Sequence, residues 1–176
     1  MRVISGTSKG RRLTAAVPTG VRPTADRVKE AMFDIVYSRG GIVDAIVGDV
    51  FCGSGALGIE ALSRGAAKVY FVDSSVRSLK ATEENLIAVG LGLETSVRYR
   101  ATLPGWQPPG PVDVVFADPP YDFTNWRDLL RGLDAQMVIA ESEKDLGEID
   151  GWVTTKSRRY GTTLVTVLER LNGDAR

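Results

Sequence analysis

The sequence predicts an α/β fold: a mostly parallel, Rossmann-like sheet with an antiparallel hairpin at its C-terminal end and a short N-terminal β-hairpin or arm. Three observations predict it. Short apolar, β-prone runs alternate with helix-period patterns between residues 45 and 141. A glycine turn with the spacing Gly53-x-Gly55-x-x-Gly58 directly follows the first of those runs. Residues 151–170 then read as two strands around a turn at Gly161 with no helix between them, which makes them antiparallel.

Taken in chain order, residues 2–13 place short β-prone pieces around Gly6 to Gly10, and Pro18 to Pro23 break the pattern. Thr24 is positioned to cap a helix whose apolar positions Val28, Ala31, Met32, Ile35 and Val36 share one face. Strands are expected near 45–51, 68–72, 96–100, 112–117 and 136–141, with helices near 56–64, 75–89 and 124–134. Alternation of this kind requires right-handed crossovers between parallel neighbours. At 176 residues and without a transmembrane-length apolar run, the chain suits one soluble domain, expected over 24–176 with the arm at 1–23. The N-terminus lacks the apolar core of a secretion signal, so a cytoplasmic protein is expected, with no membrane partner.

Composition narrows the chemistry. The chain has one cysteine and no histidine, which excludes an intrachain disulfide, histidine-based zinc sites and every histidine-dependent triad. No metal is expected, and the reacting groups must be carboxylates, backbone groups and a bound cofactor. Cys52 lacks a base or cation beside it, and nearby Asp49 should raise its pKa, so it reads as a small residue filling the turn. The net charge is zero but segregated. Arg2, Lys9, Arg11, Arg12, Arg22, Arg27 and Lys29 crowd residues 1–30 against Asp26 and Glu30, while residues 110–150 are strongly acidic. The basic end, joined by Lys156, Arg158 and Arg159, is the candidate face for a polyanion. Trp106, Trp126 and Trp152 read as packing residues.

The glycine turn lets the backbone bend sharply and approach a ligand closely. Asp73 ends the next strand, 20 residues after Gly53, where a carboxylate can accept both hydroxyls of an adenosine ribose. That pattern suits a dinucleotide as well. Asp49 favours another ligand: a carboxylate at the strand end would repel a pyrophosphate and attract the ammonium of a methionine moiety. S-adenosylmethionine is therefore the expected cofactor.

At the end of the apolar run 112–117 stands Asp118-Pro119-Pro120-Tyr121. An amine attached to an aromatic ring is a poor nucleophile because its lone pair is delocalised. Asp118 and the carbonyl of Pro119 can each accept one of its N–H groups, tilting the nitrogen toward tetrahedral geometry. Pro119 and Pro120 stiffen the loop, and Tyr121 offers a face on which a displaced base can stack. Asp118, Pro119, Pro120 and Tyr121 are thus the expected transfer residues of an amino-group methyltransferase.

The chain resembles the bacterial 16S ribosomal RNA guanine-N2 methyltransferases of the RsmD type. The likeness runs from Val3-Ile-Ser-Gly through Arg22-Pro-Thr-Ala-Asp-Arg-Val-Lys-Glu-Ala-Met-Phe, Asp49 to Gly58 and Asp118 to Tyr121, to Arg159-Tyr-Gly-Thr-Thr. It implies the seven-stranded class I methyltransferase fold and transfer to N2 of a loop guanine, with the assembled small subunit or a late precursor as substrate. Cofactor contacts are then expected from Asp49, Phe51, Gly53, Ser54, Gly55, Gly58, Asp73 and Ser74. Members often carry an acid after the third strand for the adenine amine. Arg100-Ala101-Thr102 stands there instead, which leaves Ala101 and Thr102, or backbone, for adenine. Arg22 and Thr24 suit either the cofactor carboxylate or an RNA phosphate, and a monomer is expected.

Two other classes fit parts of the pattern. A related tetrad serves DNA adenine-N6 and protein-amide methyltransferases, although the chain has no separate domain to read duplex DNA. A non-catalytic RNA-binding factor for ribosome assembly would share the basic arm, but a degraded tetrad would be expected there, and this one is intact.

Overall fold

A computed structural model describes residues 1–15 and 26–171. Arg22, Thr24 and the expected helix cap therefore lie outside the described residues. The chain runs α1 (Asp26–Tyr37), β1 (Ile46–Val50), α2 (Ala56–Ser63), β2 (Lys68–Asp73), α3 (Val76–Ala88), β3 (Ser96–Arg100), β4 (Val112–Ala117), α4 (Trp126–Gly132), β5 (Ala135–Ser142), β6 (Trp152–Tyr160) and β7 (Thr163–Arg170). The seven strands form one sheet in the order β3-β2-β1-β4-β5-β7-β6. All pairings from β3 to β5 are parallel, and β7 runs antiparallel to both β5 and β6. The chain reverses its winding between β1 and β4, and open α/β sheets bind ligands outside the strand ends at such a point.

Strand alternation divides the core into two layers. Phe71, Val114, Phe116, Ile139 and Val167 face one side, where α1, α2 and α3 contribute Met32, Phe33, Ile59 and Leu86. Val72, Val115, Val138 and Ala140 face the other, against Leu129 and Leu130 of α4 and Trp106, Trp126 and Trp152. All three tryptophans are buried, consistent with packing roles, and the indole N–H of Trp152 donates to the Leu130 carbonyl. Close approach fixes one glycine in the helix layer: a Cβ on Gly58 would lie 2.3 Å from the Phe71 ring.

The arm forms the short antiparallel turn expected of it, with Arg2 bridged to Arg12. It also carries core residues, although the domain was expected to begin at residue 24. Val3 is 1% exposed within the helix-side layer, and Leu13 packs against that layer. The backbone N–H groups of Ile4 and Ser5 donate to Glu60, and Thr7 N–H donates to the Ser63 carbonyl. Residues 1–15 are therefore docked on α2.

Lys29 corrects a second expectation. Counted among the polyanion contacts, it is instead fully buried, 3.3 Å from Glu60 and donating to the Arg2 carbonyl at 2.7 Å. It lies on the apolar face of α1 beside Val28, Met32 and Phe33, so it is inaccessible to a phosphate. Burial lowers its pKa, against the opposing pull of Glu60.

Candidate active site

Four strands of the parallel sheet carry an acid within one residue of their C-terminal end: Asp49 in β1, Asp73 in β2, Asp118 just past β4 and Glu141 in β5. The first three are marked in the sequence by the glycine turn and the proline tetrad. Glu141 has no such marker, because its neighbours carry no glycine turn or proline tetrad; its signal is an acid closing the apolar run Met137 to Ala140.

The glycine turn leaves β1 through Phe51, at φ 61°, and Gly53, at φ 55°; Gly55, at φ 77°, then caps α2. A left-handed phenylalanine is costly, and such strain gathers at functional sites. Its ring packs edge-on against Phe123 at 5.0 Å, tying the turn to the loop behind the proline tetrad. The turn is also held from behind by α3. Thr82 donates to the Gly53 carbonyl at 3.2 Å and Asn85 to the Ser54 carbonyl at 3.0 Å. Asn85 also accepts from the N–H of Ala15, so the arm and the turn share one side chain. Neither residue was predicted; their signal was polar character on the buried face of an amphipathic helix.

Asp73 accepts from Gly53 N–H at 3.0 Å and Ser75 N–H at 2.8 Å. Each carboxylate oxygen keeps a second lone pair, so a partly exposed acid fixed in this way can still accept ribose hydroxyls. Ser74 is exposed beside it, and Ala101 N–H donates to the Asp73 carbonyl, which places Ala101 and Thr102 next to the same strand end. Asp49 is more deeply set: it is 2% exposed and accepts from Gly58 N–H at 2.8 Å. Burial pushes its pKa well up, the Gly58 bond opposes that, and the fields of Asp118 and Asp73 add to the rise. A cation arriving above the turn would relieve this cost. Burial and the same acids also push the Cys52 thiol well up, which leaves it a weak nucleophile.

The tetrad follows β4 directly. Asp118 is partly buried, Pro119 is buried, and Tyr121 is 49% exposed. Phe123 N–H donates to the Pro120 carbonyl, closing the loop. Beside it opens a cavity of about 380 Å³, lined by Pro119, Pro120, Tyr121, the start of α4, Glu141 and residues 142–146. That is within the usual range for small-molecule sites, on the order of 300–1,000 Å³.

Arg2, Lys9, Arg11, Arg12 and Arg27 are exposed, as are Lys156, Arg158 and Arg159 on the edge strand β6. Arg158 stacks on Tyr160, while Arg159 donates to the Glu143 carbonyl on the rim of the cavity.

A family model described as conserved hypothetical protein 95 matches residues 1–169. The ribosomal RNA small subunit methyltransferase D of Escherichia coli K12 is 34% identical over 160 residues, covering 91% of this chain and 73% of that protein. Its Haemophilus influenzae counterpart is 33% identical, covering 92% of this chain and 89% of that protein. Among solved structures, the yhhF protein of Escherichia coli superposes with a TM-score of 0.81 at 30% identity, covering 97% of each chain. A ribosomal protein L11 methylase from Lactobacillus delbrueckii, at 22% identity and TM-score 0.65, shares the fold.

Proposed function

Because this chain belongs to the conserved hypothetical protein 95 family, whose RsmD-type members match it over most of their length, we propose that it is an S-adenosylmethionine-dependent ribosomal RNA methyltransferase. Its target is the exocyclic N2 of a guanine in the 16S RNA of the small subunit or a late precursor, in the cytoplasm. The observation that carries this reading is the placement of Asp118 to Tyr121. The tetrad stands at the end of β4, one strand from the glycine turn at the end of β1, with a base-sized cavity beside it.

The residues present fit the cofactor. Asp73 is anchored by two backbone N–H groups at the end of β2, where it can take the ribose hydroxyls, and Ser74, Ala101 and Thr102 adjoin it toward adenine. Burial and the neighbouring acids disfavour the Asp49 carboxylate, so the methionine ammonium would relieve that cost and be held there in return. When bound, the cofactor supplies a sulfonium methyl that the guanine amine takes as the carbon–sulfur bond breaks, leaving S-adenosylhomocysteine.

The chain's own groups prepare the amine. Asp118 and the Pro119 carbonyl accept its two hydrogens, which draws the nitrogen lone pair out of conjugation and holds it in line. As transfer proceeds the nitrogen becomes positive, and the carboxylate of Asp118 stabilises that charge. The product ammonium is acidic enough to lose its proton to Asp118 or to water. Tyr121 offers its ring to the displaced base.

The test is to incubate the protein and labelled cofactor with naked 16S RNA, small subunits and duplex DNA from a strain lacking the enzyme, and to map the label. Methyl on N2 of one guanine in the small-subunit RNA is expected. Label confined to DNA or to protein would overturn the assignment.

A further inference from the structure

The cavity beside the tetrad contains an acid that the transfer chemistry leaves without a role. Glu141 is the penultimate residue of β5, next to β4 in the sheet, and Ala140 is the register partner of Ala117. Glu141 and Asp118 each stand one residue beyond that pair, on strands about 4.8 Å apart. Glu141 lines the same cavity as Pro119, Pro120 and Tyr121, and is 7% exposed. Its Oε1 accepts from the Thr163 hydroxyl at 3.2 Å, which fixes the carboxylate from the β7 side.

Two acids at neighbouring register positions, one placed to accept from an exocyclic amine, suit a ligand with two adjacent donors. Three of the standard bases carry an amine. In adenine and cytosine the ring nitrogen beside that amine presents a lone pair; only in guanine does the neighbouring ring nitrogen, N1, carry a hydrogen. An acceptor-only side chain beside the amine site therefore attracts guanine and repels the other two. Flipped bases are read in this way, by hydrogen bonds to the Watson–Crick edge together with stacking.

We propose that Glu141 determines base specificity by accepting the N1–H of the target guanine, leaving the two N2 hydrogens to Asp118 and the Pro119 carbonyl. This rests on the guanine-N2 reading above and adds to it the group that selects the base. Tyr121 supplies the stacking face, and Thr163 is a positioning residue acting through Glu141.

The experiment uses small subunits reconstituted with 16S RNA carrying, at the nucleotide the wild-type enzyme methylates, either guanine or 2-aminopurine. The analogue keeps the 2-amine but has a lone pair at N1. The wild-type protein should favour guanine by roughly 10- to 100-fold in kcat/KM, the value of one hydrogen bond to a charged group together with the repulsion that replaces it. In Glu141→Gln the amide can turn its NH2 toward the analogue's N1, so the preference should fall to within a few-fold of unity. Cofactor affinity by calorimetry should not change, which separates a base-reading role from a structural one. Equal wild-type rates on the two particles would overturn the proposal without any variant being needed. So would a Glu141→Gln enzyme that keeps the full preference for guanine. If the wild-type enzyme methylates no guanine in the native particle, the guanine-N2 assignment itself has failed, a result distinct from either of these.

Discussion

Lys29 Nζ lies 3.3 Å from Glu60 Oε2, and both side chains are fully buried between α1 and α2. The same carboxylate accepts from the N–H groups of Ile4 and Ser5 and from Arg64 Nε at 2.8 Å. One acid thereby joins the arm, the first helix and the helix that opens from the glycine turn.

Glu60→Ala should be strongly destabilising. Among the described residues it would leave a buried ammonium with only the Arg2 carbonyl, and it would strip the acceptor from two backbone donors. Breaking one side of a buried ion pair typically costs about 3–5 kcal/mol. Urea unfolding of the variant should show the loss, and a change within about 0.5 kcal/mol, as at an ordinary surface site, would mean the network contributes little.

Asp49 gives a prediction in pH. Its native pKa is raised, so between the ordinary value of 3.8 and that higher value the folded state binds more protons than the unfolded state. Stability then falls as pH rises through this window. Asp49→Asn keeps an acceptor for Gly58 N–H and loses the titration. The stability difference, variant minus wild type, should therefore grow with pH across the window and level off above it. Cofactor affinity should weaken, because the charge facing the ammonium is gone. Parallel pH–stability curves would show that Asp49 is unperturbed.

The strands were legible because a two-residue period and β-branched runs report the pleat directly, as in Val112 to Ala117. Asp49, Asp73 and Asp118 were legible because a glycine turn or a proline pair marked each strand end or the turn it faces. Lys29 departs from expectation because charge counted along a chain does not show charge around a helix. Its position, three before Met32 and four before Phe33, puts it on the buried face, and a lone Glu60 inside the otherwise apolar α2 was the matching half of the signal. Thr82, Asn85 and Glu141 are pairing partners across the fold, and one-dimensional patterns do not show which distant backbone groups they meet.

At the transfer site, Asp118→Ala should lower turnover on the order of 100-fold or more while leaving cofactor affinity nearly unchanged, since its contact is with the target amine. Single-turnover rates together with calorimetry test both halves. Near-normal turnover would remove Asp118 from the chemistry.

Asp73→Ala should behave in the opposite way, with weakened cofactor binding as the main effect. The ribose contact alone is worth about 1.5–3 kcal/mol, the usual range for hydrogen bonds to a charged group. The structure adds a second loss, because Gly53 N–H and Ser75 N–H would also be left without their acceptor. Unchanged affinity would count against the ribose assignment.

The arm calls for two variants, because its charge and its packing are separable. Deleting residues 1–15 removes Val3 from the core and takes the Arg2 carbonyl from Lys29, so the truncated chain should unfold at lower urea concentration. Replacing Arg2, Lys9, Arg11 and Arg12 by Gln leaves those contacts in place, because all four side chains are exposed and the bonds from this segment to Lys29 and Glu60 are made by its backbone. If these cations grip RNA phosphates, the quadruple variant should keep its stability and cofactor affinity while binding small subunits more weakly. Its log-log salt dependence should also flatten, by roughly 0.7 to 0.9 for each lost phosphate contact. Binding to small subunits across a salt titration, quadruple variant against wild type, decides the matter. An unchanged slope would leave the arm a structural element whose cations are simply solvated.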